Sequence, residues 1–212
     1  LWRIGTPYGL YCLGEEKGVD NDPIIRHDSS DCTVHVLTTL AFAQSSTWEE
    51  ARENMINIHY KINSKGEKVP DYDSRWHFTS DRILNHPLMV DITSSIVEPS
   101  KLDSIEIILN KKEDGNEFLK LNWSLKETIH FLPYQNIDEK IFSHLPLVCG
   151  VAFVKRSYFK LGIVIAHEGY LIDGKYLIHA SSEQNKTVQV EIINYLNDKR
   201  FDGVMFYNIK NN

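Results

Sequence analysis

The chain has 212 residues, of which 42% are hydrophobic and 25% charged, and this composition predicts one globular domain, 1–212, with a single core. Its net charge is -6, and no block of lysine or arginine interrupts it, which argues against nucleic acid as a partner because phosphate binding needs clustered positive charge. No apolar run reaches the ~20 residues that span a bilayer, so no transmembrane segment is expected.

Cysteine and histidine spacing gives no sign of a metal site. The three cysteines, Cys12, Cys32 and Cys149, cannot form a disulfide framework, so at least one thiol is free. The sequence has no C-x-x-C pair and no H-E-x-x-H motif, and its nine histidines are scattered. We therefore expect no metal and no cofactor. A monomeric protein is a separate expectation.

The first half of the chain predicts an irregular arm followed by helices. Residues 5–28 are rich in turn-forming residues. A helix is expected from Cys32, with an apolar stripe at helical spacing and a cap at Ser29, Ser30 or Asp31. In "SSTWEEARENMINIHY", Ser46 and Glu49 fit a capping box that begins a second helix.

The middle and the end of the chain differ in character. Residues 61–96 are polar and aromatic, which predicts a long ordered loop with a short helix near 81–85, and such loops are usually functional. Later runs are rich in Val, Ile, Leu and Tyr: "LPLVCGVAFV", "LGIVIAH", "YLIDGKYLIHAS", "TVQVEII" and "GVMFYNI". They predict an antiparallel sheet of about five strands and hence an α+β fold, with helices packed on one face.

Cys32 stands where the first helix is predicted to begin. Unpaired amide groups and the positive end of the helix dipole favour a thiolate at that position, and the thiolate is the reactive form of cysteine. The alternative is that Cys32 is a small buried apolar residue, as free cysteines commonly are. Cys149 falls in a predicted buried strand and Cys12 in the turn-rich arm, so neither has comparable surroundings.

Four separated blocks of the sequence resemble the DUF1460 family in the correct order. They are "GTPYG" (5–9), "DNDPIIRHDSSDCTVHVLTTLAFA" (20–43), "SRWHFTSD" (74–81) and "KYLIHASS" (175–182). Proteins of this family resemble bacterial N-acetylmuramoyl-L-alanine amidases and are grouped with the NlpC/P60-type, papain-like cysteine hydrolases. The resemblance implies a papain-like fold, with the nucleophile at a helix N-terminus and its partners on the sheet.

The resemblance also implies roles for individual residues. Cys32 corresponds to the nucleophile, and Tyr8 and Asp31 correspond to residues that flank the cleft. The family's general base is a histidine in an "HxG" block, and in "YFKLGIVIAH" Lys160 stands in its place. His179, in "HAS", corresponds to the third member of the site, which orients the base.

A charged lysine cannot accept a proton, so the sequence does not decide which residue acts as the proton acceptor. His179 could act as the base directly, Lys160 could lose its proton through burial, or His35 could reach the thiol from one helical turn after Cys32. His35 itself replaces a position that is usually aromatic in the family. For His167 a solvent-facing position in a turn is expected.

The segment "DSRWHFTSD" allows two interpretations. Arg75 could clamp a substrate carboxylate while Trp76 and His77 line a cleft. The same residues could instead hold the long loop in place. The resemblance favours the cleft.

The function expected is a thiol hydrolase that cleaves an amide bond in bacterial cell-wall peptides, and such a peptide is the expected partner. The alternatives are a catalytically inactive member that binds a cell-wall peptide or a protein, and a thiol acyltransferase that excludes water from the acyl-enzyme. An exported or periplasmic location is implied by the resemblance. Because the sequence does not begin with Met, a signal peptide that has been cut away is compatible with it.

Overall fold

The computed structural model describes residues 1–63, 65–198 and 200–210. The α-helices described are α1 Cys32–Ala43, α2 Trp48–His59, α3 Thr79–Asn85, α4 Thr93–Ile96 and α5 Ile192–Asn197. The strands described are β1 Met89–Asp91, β2 Asp103–Leu109, β3 Leu125–Pro133, β4 Val148–Val154, β5 Ile165–Ile172, β6 Tyr176–Ser181, β7 Lys186–Glu191 and β8 Gly203–Ile209. Among the described residues, no helix combines the length and apolar character needed to cross a membrane.

The strands form one sheet in the order β2-β3-β8-β4-β5-β6-β7, and β1 pairs with β8. The pairs of β4 with β5 and of β4 with β8 are antiparallel, as are those that β3 makes with β2 and β8. The α+β class is thus confirmed, but the expected five strands are too few. The five apolar runs became β4 to β8, and β1, β2 and β3 were missed.

The chain divides into two compact units by its internal contacts. The first unit comprises Leu1–His77 and Ile178–Gln189, and the second comprises Phe78–Leu177 and Val190–Asn212. The single domain expected for 1–212 stays a prediction.

In the first unit, α1 packs against α2. Each helix begins after a capping residue, Asp31 for α1 and Thr47 for α2. The capping box of α2 lies one residue later than expected. The Thr47 side chain accepts a hydrogen bond from the Glu50 amide at 3.2 Å, and the Glu50 carboxylate accepts one from the Ser46 amide at 2.7 Å. The buried face of α2 includes Ala51, Met55 and Ile58.

The second unit has an apolar core around β4, which is buried along nearly its whole length between β5 and β8. Most of the core side chains come from β4, β5 and β8 and from α5 and the 3₁₀ helix Glu139–His144; among them are Val151, Phe153, Leu171, Phe206, Ile192 and Phe142. The predicted helix at 81–85 is present but begins two residues earlier, as α3.

Candidate functional site

The start of α1 is fixed by Asp31, which caps the helix. One carboxylate oxygen of Asp31 accepts a hydrogen bond from the Val34 amide at 2.9 Å, and the other accepts one from the Tyr11 amide at 3.1 Å. Cys32 is the first residue of the helix. Its thiol therefore lies at the positive end of the helix dipole, as the sequence predicts.

Exposure separates Cys32 from the other two cysteines. Cys12 and Cys149 are buried, whereas Cys32 is partly exposed. Burial raises the pKa of the Cys149 thiol to about 12, so this cysteine stays protonated at neutral pH. Of the three thiols, Cys32 alone combines access to solvent with a helix N-terminus.

The N-terminal arm runs alongside the residues that precede Cys32. The Ser30 amide donates to the Pro7 carbonyl at 3.0 Å, and the Gly9 amide donates to the Ser30 carbonyl at 3.2 Å. A Cβ at Gly9 would lie 2.1 Å from the Ser29 hydroxyl and 2.9 Å from the Cys12 sulfur, so the arm and the segment before Cys32 are tightly packed here. Tyr8 pairs with Ser30, two residues before Cys32, and its pKa is raised by burial and then by the charges of Cys32 and Asp31.

The hairpin of β6 and β7 is tied to the same segment. The hydroxyls of Ser30 and Thr187 lie 3.2 Å apart, and both residues are fully buried. The Thr187 amide also donates to the Thr6 carbonyl at 2.8 Å. β6 lies next to β7 in the sheet and carries His179, which is 3% exposed. The first unit thus holds both the Cys32 helix and the His179 strand, joined through Ser30 and Thr187.

His35 is buried in the first unit with only 1% of its surface exposed. Burial, and then the charges of Arg3 and of His179, together lower its pKa to about 3. Such a ring is neutral near pH 7 and has little tendency to take up a proton. This weighs against His35 as the general base.

Arg75 is bound by carboxylates of its own chain. It forms ion pairs with Glu15 and, at 2.9 Å, with Asp20, and the hydroxyl of Tyr60 donates to Glu15 at 3.2 Å. Burial alone would lower the pKa of Arg75, but the hydrogen bonds to Glu15 and Asp20 outweigh it and raise the pKa. Arg75 therefore fastens the arm to the loop, which supports the structural interpretation over a clamp for substrate.

The two residues that follow Arg75 are also held within the loop region. Trp76 is 8% exposed, and the Lys61 ammonium lies 4.7 Å from the centre of its ring. A ring nitrogen of His77 lies 2.6 Å from the Tyr72 carbonyl oxygen, and burial lowers the pKa of His77 to about 4. A cleft-lining role for these two residues stays a prediction.

The model of a family described as AmiA-like, N-acetylmuramoyl-L-alanine amidase-like, matches residues 3–204. The chain belongs to this family, DUF1460. No curated protein matches the chain significantly. The candidate site around Cys32 therefore lies in a chain of an amidase-like family.

Solved structures share the fold of this DUF1460 member. A Legionella pneumophila protein of DUF1460 is similar with a TM-score of 0.80 and 23% identity, over 99% of this chain and 86% of that one. An N-acetylmuramoyl-L-alanine amidase from Bacteroides uniformis is similar with a TM-score of 0.71 and 20% identity, over 99% of this chain and 96% of that one. At these identities the likeness shows the fold.

Lys160, which stands in the place of the family's histidine, lies outside the strands of this DUF1460 member. It lies in the 3₁₀ helix Arg156–Leu161 of the second unit, and β5 starts at Ile165. Its side chain is exposed. The desolvation that would let a lysine act as a base is therefore missing.

His167 is not in a turn, which corrects the sequence prediction. It lies within β5, where its ring stacks on Phe153 and Phe201 at centroid distances of 5.7 and 6.0 Å. Tyr195 completes this aromatic cluster of the second unit, with its ring 6.1 Å from His167. His167 thus has a packing role that its position in the sequence did not reveal.

Removing the cap of α1 is expected to destabilise the protein. Asp31→Ala loses both acceptors, for the Val34 and Tyr11 amides, and should lower the free energy of unfolding by about 1–2 kcal/mol. Asp31→Asn keeps an acceptor oxygen and should lose much less. Urea unfolding of the three proteins measures the difference, and equal losses in both variants would show that the charge of Asp31, rather than its cap, stabilises the helix.

Proposed function

We propose that this DUF1460 member is a cysteine amidase that cleaves an amide bond in bacterial cell-wall peptides. Cys32 is the nucleophile, and His179 accepts and returns the proton. The observation that carries the proposal is the partly exposed thiol at the first position of α1, in a chain of an amidase-like family. A helix N-terminus lowers the pKa of cysteine and so favours the nucleophilic form.

In the proposed reaction the Cys32 sulfur attacks the carbonyl carbon of the amide, and the thiol proton passes to His179. The C–N bond then breaks, the amine leaves with the proton from His179, and a thioester remains on Cys32. Water then attacks the thioester carbon while His179 takes one of its protons, the C–S bond breaks to release a carboxylic acid, and the proton on His179 returns to the Cys32 sulfur. One imidazole thus serves both steps, because its ordinary pKa lies near neutrality.

His179 is the proposed base because the other two candidates lack the required properties. Lys160 is exposed, and His35 has a pKa of about 3. His179 lies on β6, whose hairpin with β7 is joined to the segment before Cys32. The lysine at the family's histidine position means that this site works without the usual base, which is itself part of the proposal.

The finer assignments rest on the family. We infer a papain-like fold of the NlpC/P60 type, a cell-wall peptide as the substrate, and an exported or periplasmic location. The nucleophile helix that precedes the sheet in the chain supports the first of these. The name of the amidase from Bacteroides uniformis supports the second by analogy.

Alkylation of Cys32 across pH tests the activated thiol. The rate of labelling by iodoacetamide, followed for each cysteine peptide by mass spectrometry, should rise with a midpoint clearly below the ~8.5 of an ordinary thiol. Cys12 and Cys149 are internal controls, because both are buried and should label slowly in the folded protein. A Cys32 midpoint at or above ~8.5 would favour an inactive protein that binds peptide without cleaving it.

A further inference from the structure

Tyr11 places a large side chain in solvent at a point where the backbone has an unusual conformation. Its side chain is 81% exposed, and its φ of 52° lies in the left-handed region. A bulky residue is rare in that region, and none of the other non-glycine residues described there is aromatic. Because the ring is mostly in solvent, it adds little to the packing of the fold. A strained tyrosine that buries almost nothing indicates a role in binding rather than in folding.

The backbone of Tyr11 is fixed to the start of α1. The Tyr11 amide donates to one oxygen of the Asp31 carboxylate at 3.1 Å, and the other oxygen accepts from the Val34 amide at 2.9 Å. Cys32 follows Asp31 directly and is the first residue of the helix. One carboxylate therefore holds both the exposed tyrosine and the turn of helix that carries the proposed nucleophile.

Contacts on both sides of this tyrosine keep its segment in place. The Gly9 amide donates to the Ser30 carbonyl at 3.2 Å, and the sulfur of Cys12 lies 3.6 Å from the Ser29 hydroxyl. The ring thus projects from a short segment that is attached before and after it. A tyrosine has only two side-chain torsions, so on a fixed backbone it loses little conformational entropy when it binds a ligand.

An N-acetylmuramoyl-L-alanyl substrate offers one broad apolar surface to such a ring. On the amine side of the amide the alanine carries only a methyl group, whereas on the acyl side the muramoyl group carries a pyranose ring. The C–H groups on a face of the pyranose are weakly positive and pack against the negative face of an aromatic ring. The sugar begins only a few bonds from the carbonyl carbon that Cys32 is proposed to attack, so it lies near the start of α1 when the amide is bound.

We propose that Tyr11 is a specificity-determining residue that packs its ring on the sugar at the acyl side of the scissile amide. This inference rests on the proposed function, because it concerns the substrate of the same site. The contact is remote from the reacting atoms, so it stabilises the bound substrate and the transition state alike. Its loss therefore raises KM and leaves kcat nearly the same.

Two substrates with the same scissile amide test this role. One is an N-acetylmuramoyl-L-alanyl peptide, and the other is the D-lactoyl-L-alanyl peptide, which keeps the acyl carbonyl and lacks the sugar. Tyr11→Asn removes the ring but suits the left-handed backbone, and it should lower the preference in kcat/KM for the first substrate about five- to tenfold, mainly through KM. Tyr11→Phe keeps the ring and should keep most of the preference.

Val19→Asn is the matched control, because Val19 is 78% exposed in the same arm, and this variant should keep the preference of the parent. Urea unfolding separates binding from folding. Tyr11→Asn should be at least as stable as the parent, since asparagine tolerates the left-handed region better than tyrosine does. A less stable Tyr11→Asn that loses the same rate on both substrates would show that Tyr11 serves the fold and that the inference is wrong.

Failure of this inference can be told apart from failure of the proposed function. If the parent cleaves the muramoyl peptide and Tyr11→Asn keeps the parent's preference, the function stands and the role of Tyr11 is wrong. If the parent cleaves neither substrate, the proposed function is wrong, and calorimetric binding of the two peptides decides about Tyr11. Weaker binding of the muramoyl peptide alone in Tyr11→Asn supports the role of the ring, and unchanged binding overturns it.

Discussion

Cys32→Ala is expected to reduce the rate of amide hydrolysis by about 10⁴-fold or more, because no other group in the proposed site can form the thioester. The substrate for the assay is an N-acetylmuramoyl-L-alanyl peptide, and release of the peptide amine is followed by chromatography and mass spectrometry. Binding of the same substrate, measured by calorimetry, should persist in the variant. Persistence of binding separates a lost nucleophile from a lost fold.

Cys149→Ala is the matched control for this loss. Cys149 is 1% exposed in the core of the second unit, so its replacement should cost some stability but leave the rate of hydrolysis close to that of the parent. Hydrolysis that survives in Cys32→Ala would contradict the assignment of the nucleophile. A parent protein that binds the peptide and never cleaves it would identify an inactive family member.

The helix that carries Cys32 could be predicted from sequence because its signals are local. A cap residue, an apolar stripe at helical spacing and a cysteine between them all fall within 31–43, and α1 starts where they place it. The helix dipole acts on whatever residue comes first, so the electrostatic surroundings of Cys32 could be predicted without knowledge of any tertiary contact.

Strands β2 and β3 were missed although β2 has a strand pattern. Ile105, Ile107 and Leu109 alternate with exposed residues along β2. The alternation lies among charged residues and is short, so it is weaker than the continuous apolar runs that became β4 to β8. Half-exposed strands are identified by their pairing, and pairing is a property of the sheet as a whole.

Contacts between distant residues account for the rest of the differences. Nothing near Arg75 in the sequence indicates that Glu15 and Asp20, 55 or more positions earlier, meet its guanidinium. The position of Lys160 in a 3₁₀ helix has a local reason instead, because the apolar residues after it resemble a strand that in fact begins at Ile165. The sequence identified Arg75 and Lys160 as residues of interest, but it did not indicate their structural surroundings.

The second unit contains a buried ion pair whose removal should have the largest effect on stability. Arg82 on α3 and Glu168 on β5 are both 0% exposed and form an ion pair. The Glu168 carboxylate also accepts hydrogen bonds from the Thr79 hydroxyl at 3.1 Å and from the Tyr207 hydroxyl at 3.2 Å. Burial, and then the charge of Glu168, raise the pKa of Tyr207 well above its usual value, so this phenol remains a donor at neutral pH.

Glu168→Leu should lower the free energy of unfolding by about 3–5 kcal/mol, because it leaves the Arg82 guanidinium buried without its counter-charge. Arg82→Leu should lower the free energy of unfolding by a similar amount, because it leaves the Glu168 carboxylate buried without its counter-charge. The double variant removes both charges, so it should be more stable than the sum of the single losses predicts, and urea unfolding of the four proteins measures that coupling. Glu168→Gln is the conservative control, since it removes the charge and keeps one acceptor oxygen, for either the Thr79 or the Tyr207 hydroxyl. Losses that simply add in the double variant would mean that α3 and β5 are held together by their apolar neighbours and that the ion pair contributes little.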